Sequence, residues 1–200
     1  MNRVLMVASA NPGKVDEIKA ILSNLPLEVR SAKEFGIEID VAETGDTYLA
    51  NAKLKAQAFV AASAQIVLAD DSGLEVDALD GAPGLYSHRF APQPDPTDAD
   101  RRQYLLDQLA GHPQPWTAHF HCATVLATAE NHFVHTDGRC NGVIIPEERG
   151  EGGFGYDPIF YIPEEAATLA EIPTARKNQI SHRAHAVRAL TPALKDIYNL

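Results

Sequence analysis

The first 25 residues switch between two periodicities, and this limits the fold more than any other feature. Residues 4–8 (VLMVA) are a continuous apolar run. The turn signal Asn11-Pro12-Gly13 follows, and Val15, Ile18, Ile21, Leu22 and Leu25 then recur at helical spacing. That is a buried strand, a tight turn and an amphipathic helix. The alternation continues with a short strand at residues 27–30 and with Gly45-Asp46-Thr47 ahead of an alanine-rich helical segment reaching residue 64. A strand at residues 66–69 comes next. Strand alternating with helix predicts an α/β sheet.

The second half reads differently. Residues 81–96 carry Gly81-Ala82-Pro83-Gly84 and three further prolines, a loop, and a helix is expected over residues 98–109. Residues 116–128 and 132–145 read as two long strands meeting at Glu130-Asn131, a hairpin that forms an antiparallel element. Residues 184–197 are mostly helical but contain Thr191-Pro192, the form of an N-cap followed by proline at the first helical position. Two helices in series are therefore expected there. Nothing repeats internally, and 200 residues suffice for a single domain, residues 1–200, with one core or with two lobes.

Charge and cysteine content exclude several classes of function. The 17 Lys and Arg stand against 27 Asp and Glu, a net charge of -10, so a face that grips nucleic-acid phosphates is not expected. No apolar stretch is long enough to cross a bilayer, and the N-terminal run is too short for a signal peptide; no membrane contact and a cytoplasmic location are expected. With only Cys122 and Cys140, equally far from Asn131, there is no disulfide framework, and free thiols are expected.

Several constellations carry chemistry. The chain ends its strand at residues 66–69 with two adjacent carboxylates, Asp70 and Asp71, and the hydroxyl of Ser72. Like charges side by side need a cation, a shared proton or open water. Ser9-Ala10-Asn11-Pro12-Gly13-Lys14 joins a strand to a helix N-terminus, where unpaired N–H groups and the helix dipole favour anions. It is not a Walker A loop, because Ala8 and Val15 occupy its glycine and Ser/Thr positions; a plain turn with one surface lysine stays open. Gly150-Glu151-Gly152-Gly153-Phe154-Gly155 matches G-x-G-x-x-G, but Tyr156-Asp157-Pro158 cannot open the required helix, so a dinucleotide site is rejected. Phe154 between glycines reads as a ring offered to a ligand or as a loop anchor. His119, His121, Cys122, His132 and His135 match no zinc spacing; Glu43, Asp70, Asp71, Glu75 and Asp77 suit a hard cation such as Mg²⁺ better. Lys177, His182 and Arg183 crowd together before the last helix, an arrangement that an anion would stabilise.

In chain order, SANPGK, ETG, ANAKLKA, ADDSGLEVDALDGAPGLYS, GGFGYDPIF and ISHRAHA resemble the inosine triphosphate pyrophosphatase family, the XTP/dITP diphosphatases, over nearly the whole chain. The resemblance implies an elongated mixed α/β sheet with flanking helices, two lobes around a central substrate cleft, and a homodimer. It also implies hydrolysis of deaminated purine nucleoside triphosphates (XTP, dITP, ITP) to monophosphate and pyrophosphate, which keeps them out of DNA and RNA. By position, Ser9, Ala10, Asn11, Pro12, Gly13 and Lys14 would hold the phosphates with Lys55. Asp71 would be general base and Mg²⁺ ligand with Glu43, Asp70 would support that centre, and Ser72 would contact substrate. Phe154, Gly155, Tyr156 and Asp157 would stack and bond the base. Lys177, His182 and Arg183 would close over base and phosphate, with Arg183 or His182 donating to a 6-keto oxygen. The carboxylate pair would be tolerated because a metal and its water sit between it and the phosphates. His88 and Pro192 have no fixed counterpart in the family pattern, and Arg89 is a better contact candidate than His88. The alternatives are a pyrophosphatase for another nucleotide, such as a modified pyrimidine, and a nucleotide-binding regulator. Glu43, Asp71 and Lys14 together argue against the regulator, since a sensor needs no water-activating base.

Overall fold

The computed structural model describes residues 3–130 and 132–200. Two of the sequence expectations reach beyond them: the tip of the hairpin at Asn131, and Met1 and Asn2 of the N-terminal stretch weighed as a signal peptide. β1 (Val4–Val7) leads through the Asn11 cap into α1 (Pro12–Ile21), and β2 (Glu28–Ser31) follows. α2 (Tyr48–Ser63) starts at a Thr47 cap and ends on Ala64 in the left-handed region. Then come β3 (Val67–Val76), α3 (Asp98–Leu109), β4 (Trp116–Ala127) and β5 (Phe133–Ile144). The short strands β6 (Phe160–Ile162) and β7 (Ala167–Thr168) precede α4 (Thr174–Ile180), α5 (His182–Ala189) and α6 (Thr191–Tyr198).

The strands form one seven-stranded mixed sheet in the order β2-β1-β3-β4-β5-β6-β7. β1 runs parallel to β2 and β3, whereas β5–β6 and β6–β7 are antiparallel. The chain divides into two compact units: residues 1–72, 122–138 and 182–200, and residues 73–121 and 139–181. The first unit is layered. Leu5, Val7 and Leu68 pack with α1, α5 and α6, while Met6, Ala8, Val67 and Ala69 pack with Ala52, Ala56 and Phe59 of α2. Alternate residues of β1 and β3 thus serve opposite layers, as the period of two in a strand requires. The second unit has one core, in which Leu105 and Leu109 of α3 meet Leu74, Trp116, Phe120, Ile159 and Phe160.

Two differences from the sequence pattern bear on the site. β3 does not stop at residue 69 but continues through both carboxylates to Val76. Thr191 is the first residue of α6 and not its cap, with Pro192 in the first turn, where a missing N–H costs nothing. Both cysteines are free and buried. Burial pushes the Cys140 thiol up to about 11 and the Cys122 thiol higher still, so neither is a thiolate at neutral pH.

Candidate functional site

Because β3 continues, Asp70 and Asp71 obey its alternation and leave on opposite faces. Asp70 follows Leu68 toward α1 and α5. Its Oδ2 lies 3.1 Å from Lys14 Nζ and accepts from Arg183 Nε and Nη2, each at 3.2 Å. Asp71 follows Val67 and Ala69 toward α2, where its Oδ2 accepts from Asn51 Nδ2 at 3.1 Å and its Oδ1 from Lys55 Nζ at 3.2 Å. Lys55 Nζ also donates to Glu43 Oε1 at 2.9 Å. The pair is therefore divided between two faces: Asp70 meets Lys14 and Arg183, and Asp71 meets Lys55.

The two environments push the neighbouring carboxyls apart. Burial raises the pKa of Asp70, but the charges of Lys14, Arg183 and Lys55 outweigh it and hold the group well below the usual carboxylate range. For Asp71 burial wins: Lys55 and Lys14 pull down, Glu43 repels, and the net result is a raised pKa. Burial lowers that of Lys55, yet Asp71, Asp70 and Glu43 together raise it. The Asp70 side chain is 1% exposed and that of Asp71 10%, so only Asp71 offers an edge to a ligand.

The loop before α1 is a capped helix start. Asn11 Oδ1 accepts from the Lys14 N–H at 3.2 Å, Ser9 Oγ accepts from the Asn11 N–H at 3.2 Å, and Pro12 opens the ten-residue helix. Ala10 and Gly13 lie on the same turn. Lys14 is no stray surface lysine, since it reaches back to a buried carboxylate.

At 1% exposure Arg183 lies inside the first unit, with Nη1 on Glu17, Nε and Nη2 on Asp70, and Nη2 also on Ser72 Oγ at 3.1 Å. Ser72, on the Asp70 face, accepts from that guanidinium. His182, the first residue of α5, is buried as well.

In the second unit Gly153 is left-handed (φ 72), and a Cβ there would collide with the Asp157 carboxylate folded beneath it. Asp157 Oδ2 accepts from the Phe154 N–H at 2.8 Å and from Lys177 Nζ at 2.6 Å. The Lys177 ammonium lies 4.9 Å from the centre of the Phe154 ring. Lys177 is therefore a buried partner of Asp157. Tyr156 is also buried; its hydroxyl donates to the Ser87 carbonyl at 2.8 Å and its ring belongs to the core. Asp98 accepts from the Gly155 N–H and Arg102 donates to the Gly155 carbonyl, both at 2.8 Å, so α3 clamps this loop. Glu75 is taken up by His119 at 2.9 Å and His121 at 3.6 Å, and Asp77 accepts from Thr117 Oγ1 at 2.6 Å.

As a metal site, the Asp71 and Glu43 pair fits Mg²⁺ in donor chemistry: hard oxygens, one or two carboxylates, the remainder left to water and substrate phosphates. Among the described residues no group of three or more His, Cys, Asp or Glu is gathered as a metal cage. Asn51, Glu17, Asp98 and Arg102 escaped the sequence reading. Asn51 stands one helical turn before Lys55 in ANAKLKA and hence on the same face, a signal that could have found it.

The model of the Ham1 family matches residues 5–193. The dITP/XTP pyrophosphatase of Desulforamulus reducens is 47% identical over 197 residues, covering 97% of this chain and 96% of the relative. That of Geobacillus kaustophilus is 45% identical over 194 residues, 96% of this chain and 95% of the relative. Among solved structures, a HAM1 protein from Coxiella burnetii superposes with a TM-score of 0.85 at 38% identity, covering 96% of this chain and 98% of its own. The Staphylococcus aureus Ham1 protein gives 0.83 at 37%, covering 97% and 99%.

Proposed function

We infer the chemistry of this chain from its kinship: it belongs to the Ham1 family and is a nucleoside-triphosphate pyrophosphatase. It hydrolyses non-standard purine nucleoside triphosphates of the dITP and XTP kind to monophosphate and pyrophosphate, and so clears them from the nucleotide pool.

The observation that carries the mechanism is the divided carboxylate pair. Asp71 keeps an exposed edge and a raised pKa, which suits a general base. Asp71 takes the proton from a water that attacks the triphosphate, the bond between α- and β-phosphates breaks, and pyrophosphate leaves. The capped turn from Ser9 to Lys14 receives phosphate oxygens on its N–H groups, and Lys14 and Lys55 supply charge. Asp71 and Glu43 would hold Mg²⁺, which when bound neutralises the triphosphate and makes water more acidic. Asp70 takes no part in proton transfer; it anchors Lys14 and Arg183. The Phe154 ring stacks on a purine, held by Asp157, Asp98 and Arg102. A homodimer, and a cytoplasmic location for a chain whose described helices include none long and apolar enough to cross a membrane, complete the proposal.

The test is a panel of dITP, XTP, ITP, GTP and ATP assayed for pyrophosphate with Mg²⁺ and with chelator. Pyrophosphate from the first three, lost in chelator and restored by Mg²⁺, is expected. Stepwise release of single phosphates would refute the reaction, and full activity in chelator would refute the metal.

A further inference from the structure

Asn51 occupies the first turn of α2, is 1% exposed, and uses both ends of its amide. Nδ2 donates to Asp71 Oδ2 at 3.1 Å, and Oδ1 accepts from the Gly45 N–H at 2.8 Å. We propose that Asn51 is a positioning residue that fixes the plane of the Asp71 carboxylate and ties it to the loop carrying Glu43. The inference rests on the reading of Asp71 as the base.

A carboxylate on a strand is free to rotate about its terminal torsion, which is broad and not staggered. Here two donors from one face of α2 remove that freedom, Lys55 on Oδ1 and Asn51 on Oδ2, four residues apart and so one above the other. A carboxylate has about four acceptor sites, so one donor on each oxygen still leaves lone pairs for water. A second lysine at position 51 would hold the plane too, but it would add charge beside the base; a neutral amide does not. A buried amide with donor and acceptor both satisfied is also rigid.

The other end of the amide reaches the segment Glu43-Thr44-Gly45. A Cβ on Gly45 would lie 2.6 Å from Ala50 Cβ and 2.8 Å from Asn51 Oδ1, so only glycine lets this backbone come close enough to donate. Glu43 and Asp71 both bind Lys55 Nζ. Asn51 thus closes a second connection between β3 and the loop ahead of α2: Asp71 to Asn51 to Gly45 beside Glu43, in addition to Asp71 to Lys55 to Glu43. A base and the partner carboxylate two residues from Gly45 are held in one frame.

The competing account is purely structural, in which Asn51 only satisfies the Gly45 N–H. Asn51→Asp separates the two. It keeps the size and the acceptor for Gly45 but, as a carboxylate, has no hydrogen to donate to Asp71; Asn51→Ser, which adds no charge, is measured beside it so that added charge and lost positioning are told apart. If Asn51 positions the base, kcat for ITP falls roughly 10–100-fold, the range for supporting partners of a reactive site, with KM within about threefold and Asn51→Ala no better than Asn51→Asp. Near-normal kcat in Asn51→Asp, or a rise in KM with kcat kept, overturns the proposal. Circular dichroism and Tm accompany each variant. Should Asn51→Asp not fold, Asn51→Ser, too short to reach both partners, is judged by the same kcat and KM criterion. Asp71→Asn is the control. If it retains activity, the assignment of the base fails; if it is inactive while Asn51→Asp is active, only the role of Asn51 fails.

Discussion

The two faces of β3 place chemically identical neighbours in opposite circumstances. Asp70 has two cations and almost no exposed surface; Asp71 has one ammonium, shared with Glu43, an amide donor and an open edge. One carboxyl is held ionised far below its ordinary range and the other is pushed above it. The contrast teaches that adjacency in sequence is not adjacency of environment: alternation along a strand seals one group among the cations of the first unit and leaves the next the open edge on which the proposed mechanism relies. A carboxylate locked between cations makes a poor base, because protonating it would sacrifice those pairs.

The largest expected effect comes from removing the reactive member. Asp71→Asn keeps shape but cannot take a proton, so kcat should fall roughly 10²–10⁴-fold while the fold survives. Near-normal turnover would transfer the base to another carboxylate and erase the contrast. The same variant should melt at or above the wild-type temperature near neutral pH in chelator, because a group whose pKa folding raises is a net cost when ionised.

Asp70→Asn should do the reverse, costing about 3–5 kcal/mol, as expected when one partner of a buried ion pair is removed. Urea unfolding would measure it. The linkage has a definite sign: a depressed pKa contributes stability above the unfolded value near 3.8, and that contribution is lost as pH falls through the folded value. The stability gap between wild type and Asp70→Asn should therefore narrow as the solution is acidified below that value. A gap independent of pH would mean that packing, not charge, holds Asp70.

The smallest effect concerns the residue that links the Asp70 face to the phosphates. Lys14→Ala removes ground-state charge and should raise KM for ITP about tenfold, the scale of one charge-assisted hydrogen bond. Unchanged KM would return Ser9 to Lys14 to the status of a plain turn.

Much of this was legible in the chain. The apolar run, turn and helical spacing at the N-terminus place β1 and α1 correctly, and Thr97 with Asp100 forms a capping box at the expected start of α3. The ordered motifs point to the family because several short patterns must coincide in sequence order. The middle of β3 was not legible as strand, since carboxylates and a glycine interrupt the apolar pattern and only partners brought by α1, α2 and α5 make their burial tolerable. α4 was hidden in a run read for its charge.

Local patterning was enough to set where elements start, which face of each is apolar, and which residue types could handle a phosphate or a proton. It could not say which cations meet which carboxylates. Arg183 looked like a ligand because Asp70 lies 113 positions away and Glu17 lies 166 away, distances over which nothing in the sequence reports a pairing. Packing decides it: bringing α5 beside α1 and β3 removes water from the guanidinium, and once dry that charge must take the nearest carboxylates. The same packing leaves Asp71 the edge that Asp70 lacks, so which of the two carboxylates is sealed and which stays open is decided by the tertiary structure.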